Sequence, residues 1–473
     1  MNLPNLMEAK KRTKKEVKIL KDVYNVSNEM KNIGINKMYH IITYGCQMNV
    51  HDSENISAIM EEMGYSRSDD MNGSDVIILN TCAIRENAHN KVKGMLGRIK
   101  HLKEEKPDVI TVLCGCMAQE EEIANMLKDK YKWVNIVFGT HNIHMLPTYL
   151  ENTLKTKKQE LEVFSCEGDV IEGVPVKRDS KYKAWVNIMY GCDKFCTYCI
   201  VPYTRGKQRS RRHEDIINEV LELVKDGYKE VTLLGQNVNA YGKDLEGEYG
   251  MAELLSDVAK TNIARVRFVT SHPWDFTDDM LEVIAKYDNI MPYIHLPIQS
   301  GSSNILKKMG RRYTKEEYIE LFNKIKKTIP NCSISTDIIV GFPNETEEDF
   351  QDTLDVVDTL KYDLAYTFIY SKREGTPASI MEDVISEETK RERLAKLNEK
   401  VNKYALENNM KYLNKEVFVL LEDYSEKNGY LKGYTDTMKL VNVKCDSKYL
   451  GEIVKVKITD VKTWSLDGEV VDV

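Results

Sequence analysis

Between Trp185 and Tyr370 six short apolar runs alternate with charged helical stretches, and this alternation constrains the fold more than any other feature of the sequence. The runs are Trp185–Tyr190, Val231–Leu234, Arg265–Val269, Ile294–Leu296, Ile334–Val340 and Leu364–Tyr370. Glu214–Lys225, Met251–Lys260, Asp278–Lys286, Lys315–Ile329 and Glu347–Leu360 have helical spacing and lie between them. Strands that each need a helical crossover before the next strand build a parallel sheet. Six such units over about 200 residues predict a partial (β/α)6 barrel rather than a small open sheet.

A second alternation precedes it. Tyr39–Tyr44, Val76–Leu79, Val109–Leu113 and Asn135–Phe138 read as strands, with helices over Asp52–Met63, Glu86–His101 and Ala118–Lys128. After Lys411 the pattern changes to closely spaced strands with Gly and Asn turns: Glu416–Leu421, Gly429–Tyr434, Lys439–Val443, Glu452–Thr459 and Leu466–Val471. That spacing predicts a small β-barrel. The expected fold is α/β, with an N-terminal parallel α/β domain at 37–150, the partial barrel at 178–408 and the β-barrel at 411–473. Ser386–Asn408 reads as a charged helix at the end of the partial barrel, 150–182 as a linker, and the polar, Lys-rich stretch 1–36 as a disordered tail.

The sequence has 473 residues, a net charge of -7 and ten cysteines. No apolar run reaches the length of a membrane span, and no secretory h-region opens the chain, so a cytoplasmic protein without membrane contact is expected. In that compartment clustered cysteines point to metal or redox chemistry rather than to a disulfide framework.

Cys192, Cys196 and Cys199 have the spacing CxxxCxxC and directly follow the first barrel strand. Loops at the C-terminal ends of barrel strands are where such folds place their chemistry. Thiolates favour iron–sulfur clusters, which usually take four cysteines. Three in one loop can hold three irons of a 4Fe–4S cluster and leave the fourth open to a non-protein ligand. A zinc site is the alternative, but zinc takes four ligands, commonly in pairs, and no fourth Cys or His is near.

In the N-terminal domain each of three predicted strands ends in a cysteine: Cys46 after Gly45, Cys82 after Thr81, and Cys116 after Gly115. In a parallel sheet all C-terminal strand ends share one edge, where ligands bind at the reversal of strand order. Cys46, Cys82 and Cys116 should therefore converge on a second three-cysteine cluster. The alternative is that they are ordinary core cysteines. Cys114 lies inside its strand and is assigned to the core, and Cys166, Cys332 and Cys445 lack cluster spacing.

The CxxxCxxC loop with its flanking Phe195 and Tyr198 resembles the motif of the radical S-adenosylmethionine (SAM) superfamily. Together with the N-terminal cysteines and the C-terminal barrel, residues 37–473 resemble the methylthiotransferases of that superfamily. Thr43-Tyr44-Gly45-Cys46-Gln47-Met48-Asn49, Asn80-Thr81-Cys82-Ala83-Ile84-Arg85, Gly115-Cys116-Met117-Ala118-Gln119 and Ile200-Val201-Pro202-Tyr203-Thr204-Arg205-Gly206-Lys207 are similar to the tRNA-modifying branch. The pair Gln47-Met48 differs from the Pro-Lys of the branch acting on a ribosomal-protein aspartate and from the Lys-Val of the branch acting on threonylcarbamoyl-adenosine. The resemblance implies two 4Fe–4S clusters, SAM as both methyl donor and radical source, and a C-terminal TRAM domain that binds substrate. It implies conversion of N6-isopentenyladenosine, 3′ of a tRNA anticodon, to its 2-methylthio derivative. By the same resemblance Gly235 and Gln236, Gln299, and Gly341 sit at strand ends that cradle SAM. A flavodoxin- or ferredoxin-like reductant is implied as a partner, and a monomer is expected. A non-catalytic iron–sulfur electron carrier is the reading from another class; it leaves those SAM segments without a purpose.

Arg205, Lys207, Arg209, Arg211 and Arg212 follow the CxxxCxxC loop, and their alternation is expected to put them on one face for RNA phosphates. The C-terminal domain is not basic, with ten Lys against eleven Asp or Glu from Lys411 to Val473. There Tyr430, Tyr434 and Trp464 are the candidate RNA-contacting aromatics.

Overall fold

The computed structural model describes Pro4 and residues 17–83, 86–164, 169–247 and 249–471. Two compact units emerge, and the chain passes between them more than once. The first comprises Met1–Asp179, Met189–Phe195 and Cys199–Arg212; the second comprises Ser180–Ile188, Cys196–Tyr198 and His213–Val473.

The first unit is built on parallel strands β1 (Met38–Thr43), β2 (Val76–Thr81), β3 (Ile110–Gly115), β4 (Ile136–Phe138) and β5 (Glu160–Glu162), with Ser66–Arg67 added outside β1. The strands pair in chain order from β1 to β5, but the chain goes from β1 to the Ser66–Arg67 edge before returning to β2. Strand order therefore reverses between β1 and β2. Side chains alternate across β2 and β3, as a pleated strand requires. Val76, Ile78, Val112 and Cys114 pack with Ile56, Ile59 and Met60 of helix Gln47–Glu62. Ile77, Leu79 and Leu113 pack on the other face with Val92, Leu96, Ile123 and Leu127. Both faces are covered, so the strands read as continuous apolar runs.

Two expectations about this unit change. Helix Leu146–Thr156 and strand β5 fall where the domain was expected to end and a linker to begin. The helix was missed because its four apolar positions are diluted by Thr, Asn and Lys; Leu146, Tyr149 and Leu150 nonetheless seal one sheet face. Ile19–Leu20 pairs with Val170–Ile171, and Val26 and Met30 are buried in the same core, so the stretch 17–36 is ordered rather than a disordered tail. Residues 1–3 and 5–16 of the expected tail, and Cys166, lie outside the described residues.

The second unit carries the partial barrel: β6 (Lys183–Asn187), β7 (Glu230–Leu234), β8 (Arg265–Phe268), β9 (Tyr293–His295), β10 (Ser333–Val340) and β11 (Leu364–Ile369). β6, β7 and β8 pair in parallel, as do β9, β10 and β11, and a parallel bridge from Val266 to Ile290 links the two sets. The expected strand Trp185–Tyr190 is two strands. It ends at Asn187 in the barrel, and Met189–Tyr190 instead pairs with Arg209–Ser210 in the first unit. Period-2 apolarity continues through both, so the sequence showed no break. After helix Glu387–Met410 come β12 (Glu416–Tyr424), β13 (Tyr430–Thr435), β14 (Leu440–Lys444), β15 (Ile453–Val461) and β16 (Leu466–Val470), closed into the expected small barrel. Its core is Val419, Leu421, Leu431, Val441, Val443, Val456, Ile458 and Leu466. Among the described residues, no helix is long and apolar enough to cross a membrane.

Candidate metal centres and cofactor-binding strand ends

Cys46, Cys82 and Cys116 sit just past β1, β2 and β3, on the C-terminal edge of the first sheet. Cys46 and Cys82 flank the point where strand order reverses. The approach there is close: a Cβ on Gly45 would stand 2.9 Å from Cys82 Cβ and 2.5 Å from Asn49 Oδ1. Gly115, at φ 91, would put a Cβ 2.5 Å from the Thr81 carbonyl. Only glycine accepts both the left-handed backbone and that contact. Asn49 and Asn80 tie the edge together, Asn49 Nδ2 donating to Asn80 Oδ1 and to the Thr81 carbonyl, both at 3.2 Å. Burial pushes the Cys116 thiol up to about 12; the Arg205 cation offsets part of this, and the neighbouring Cys82 and Cys46 add to it. Cys114, two residues earlier, packs into the core on the helix Gln47–Glu62 face.

The donor set fits an iron–sulfur cluster better than a single ion. A multi-iron cluster carries bridging sulfide and spans a wider ligand set than one tetrahedral zinc. Ala83, Ile200 and Tyr203 pack against Cys116, with Phe195 at the margin, giving the thiol an apolar surround.

Three of the five basic residues expected to face phosphates, Arg205, Arg209 and Arg211, are buried instead; Lys207 is half-buried and Arg212 exposed. Arg205 is 4% exposed; its Nε lies 3.3 Å from Cys116 Sγ and its Nη2 donates to Asp52 Oδ2 at 2.6 Å. Arg211 is buried in a two-point pair with Glu172, at 2.7 and 2.8 Å. Arg209 is buried, donates to the Arg205 carbonyl and lies against the Tyr190 ring. The extended chain at Arg209–Ser210 pairs with Met189–Tyr190, which turns these side chains into the first unit. Arg205, Arg209 and Arg211 thus share a side, but that side is internal.

The CxxxCxxC loop is shared between units, so its members are placed separately. In the first, Cys192 N donates to the Gly206 carbonyl at 3.1 Å, and Gly191, at φ 74, leaves no room for a Cβ against the Lys207 carbonyl. Phe195 meets Tyr203 edge-on at 6.0 Å. In the second, Cys196 is buried, and Thr197 binds its loop to Lys308 and Met309 through side chain and backbone. Arg311 Nη1 lies 3.6 Å from Cys196 Sγ.

The barrel strand ends carry the other predicted positions. Gly235 is buried after β7 and Gln236 half-buried. Gln299 holds a left-handed backbone, φ 74, and clips onto β10 by donating to the Asp337 carbonyl and accepting from Ile339 N. A non-glycine residue in that region is strained, and strain gathers at functional sites. Thr270, after β8, is likewise left-handed at φ 69. Gly341 is less open than expected: its N–H is taken by Glu345 at 2.7 Å, and the Lys390 stem covers its Cα. Two further residues, Asn239 and Ser271, join Asn237 of the Leu234–Asn237 segment at these strand ends. Asn237 Oδ1, Asn239 Oδ1 and Ser271 Oγ, past β7 and β8, are buried polar atoms without a hydrogen-bond partner. Such atoms are costly unless a ligand satisfies them, so the strand ends fit a polar cofactor such as SAM. Asn237 was visible beside Gln236; Asn239 and Ser271 carried no signal in the sequence.

Comparison with known proteins agrees with this layout. Residues 186–357 match the Radical SAM superfamily, 38–139 match the Uncharacterized protein family UPF0004, and 410–471 match the TRAM domain. A tRNA-2-methylthio-N(6)-dimethylallyladenosine synthase of Halalkalibacterium halodurans is 54% identical over 471 residues, 99% of this chain and 88% of that protein. Proteins of the same name from Staphylococcus epidermidis and Bacillus cytotoxicus are each 55% identical, over 98% and 99% of this chain and 91% and 92% of theirs. Among solved structures, the radical S-adenosylmethionine methyltransferase TsrM of Kitasatospora setae, with cobalamin and a 4Fe–4S cluster bound, aligns with a TM-score of 0.51. The alignment covers 73% of this chain and 77% of that one at 12% identity, a likeness of fold. The chain belongs to the tRNA-2-methylthio-N(6)-dimethylallyladenosine synthase family of radical SAM enzymes.

Proposed function

We infer that this protein methylthiolates C2 of N6-isopentenyladenosine next to the anticodon of tRNA. The observation that carries the reading is near-full-length identity of 54–55% to proteins named for that product. Cys46, Cys82 and Cys116 are the ligands of one 4Fe–4S cluster, and Cys192, Cys196 and Cys199 those of the other. When bound, the clusters and SAM supply the methyl group, the sulfur chemistry and the one-electron hydrogen abstraction that acid–base side chains cannot.

The chain's own residues bind, orient and exclude water. Gly45 and Gly115 let the strand-end thiols approach one another, while Ala83, Ile200 and Tyr203 keep solvent from Cys116. Gly235, Gln236 and Gln299, with Asn237, Asn239 and Ser271, supply polar groups at strand ends for SAM; Gly341 supports that edge through Glu345 and Lys390. In the C-terminal barrel Trp464, Phe418 and Tyr424 are exposed aromatics suited to stacking on RNA bases, whereas Tyr430 and Tyr434 are half-buried. The partners proposed are tRNA carrying isopentenyladenosine and a flavodoxin- or ferredoxin-like reductant; the protein is proposed to act as a cytoplasmic monomer.

The test is anaerobic. Protein reconstituted with iron and sulfide is incubated with SAM, reductant and isopentenylated tRNA, and the digested RNA is analysed by mass. A gain of one methylthio group on the hypermodified adenosine, with deoxyadenosine and S-adenosylhomocysteine released, supports the reading. Deoxyadenosine without an RNA product keeps the radical chemistry and moves the substrate to a ribosomal-protein aspartate or another modified base.

A further inference from the structure

Arg311 is 4% exposed in the second unit. Each nitrogen of its guanidinium has a neighbour: Nε donates to Tyr313 Oη at 2.9 Å, Nη2 to the Pro297 carbonyl at 2.8 Å, and Nη1 lies 3.6 Å from Cys196 Sγ. Among the described residues no carboxylate stands within ion-pair distance of it. A buried cation is costly unless a negative charge faces it. Of the three groups Arg311 meets, a phenol, a carbonyl and a thiol, the one that becomes an anion on binding metal is the Cys196 thiol.

The contrast with Arg205 sharpens the point. Arg205 also meets a cysteine, Cys116, but Asp52 already neutralises it at 2.6 Å. Arg311 has no such partner, and its fork is held against Cys196 by a carbonyl and a phenol that fix direction without cancelling charge. Gly310, at φ 72, precedes it and turns the chain beside Thr197 and Cys196.

We propose that Arg311 is a positioning residue whose guanidinium is the counter-charge of the Cys196 thiolate and raises the reduction potential of the cluster that Cys196 ligates. The proposal rests on the reading of Cys196 as a cluster ligand. A positive charge and a hydrogen bond at a ligand sulfur favour the more negative, reduced cluster. Removing them makes the cluster harder to reduce.

The experiment uses the full chain with Cys46, Cys82 and Cys116 replaced by Ala, so that one reducible cluster remains, and follows its reduction by electron paramagnetic resonance against a potential series. Arg311→Gln is expected to lower the reduced-to-oxidised ratio at fixed potential at least tenfold, a shift of about 59 mV for a one-electron couple. Arg311→Lys keeps the charge and is expected to recover most of it. Tyr313→Phe disturbs the same hydrogen bonds without touching the charge and is expected to leave the potential in place. An unmoved potential in Arg311→Gln with cluster retained overturns the proposal, as does an equal shift in Tyr313→Phe. Weaker SAM binding in Arg311→Gln at unchanged potential also overturns it. If the parent variant, with Arg311 intact, holds no reducible cluster, the ligand reading fails and the proposal falls with it.

Discussion

Cys192, Cys196 and Cys199 occupy one short loop, whereas Cys46, Cys82 and Cys116 come from three different strand ends. The first set is assembled by sequence spacing and needs the fold only to hold the loop. The second exists only because a parallel sheet brings its strand ends to one edge and reverses strand order between β1 and β2. The electrostatics differ as well: the strand-end set has a neutralised arginine, Arg205 with Asp52, and the loop has Arg311, which meets no carboxylate among the described residues. Local and topological routes thus lead to two three-cysteine sets, each proposed to hold a cluster, with different sensitivities. Damage to the sheet should disable one set and spare the other.

The largest expected effect comes from removing the topological set. With Cys46, Cys82 and Cys116 all changed to Ala, methylthiolated nucleoside should vanish while reductive SAM cleavage persists; loss of both activities would mean that the sets are not independent. Next is Arg205→Met, which leaves Asp52 buried without its partner. Breaking a buried pair in this way costs about 3–5 kcal/mol, read as a fall in urea-unfolding stability of the metal-free protein. Arg311→Met has no carboxylate to orphan and should cost no more than about 2 kcal/mol in the same measurement, from two lost hydrogen bonds. Equal losses would erase the electrostatic difference between the regions. Gly115→Ala strains a left-handed backbone by about 1–3 kcal/mol and drives a Cβ into Thr81; it should lower iron bound by the strand-end set and leave deoxyadenosine formation intact. Cys114→Ala is the smallest change. It removes one core sulfur, should cost about 1 kcal/mol, and should retain both clusters on iron analysis.

The same comparison explains what could be read in advance. The loop was legible from its spacing alone. The positions of the strand-end set were legible because the alternation of strand and helix was strong enough to place Cys46, Cys82 and Cys116 at equivalent strand ends, and Cys114 was set apart from Cys116 by lying inside its strand rather than past its end. Long-range partners were not legible. Arg205, Arg209 and Arg211 looked like a cationic surface because Asp52 and Glu172, which Arg205 and Arg211 meet, are remote in sequence. Helix Leu146–Thr156 and the Ile19–Leu20 strand were missed because their apolar positions are few and gain meaning only against the sheet core. Asn239 and Ser271 were invisible because an unpaired buried oxygen is a property of the folded strand ends, not of composition.

The most direct measurement is iron, sulfide and Mössbauer analysis of the reconstituted protein with Cys192, Cys196 and Cys199 all changed to Ala. One intact 4Fe–4S cluster, with no deoxyadenosine formed from SAM under reduction, is the expected result. Loss of all cluster iron from that variant would contradict two sites built by two separate routes.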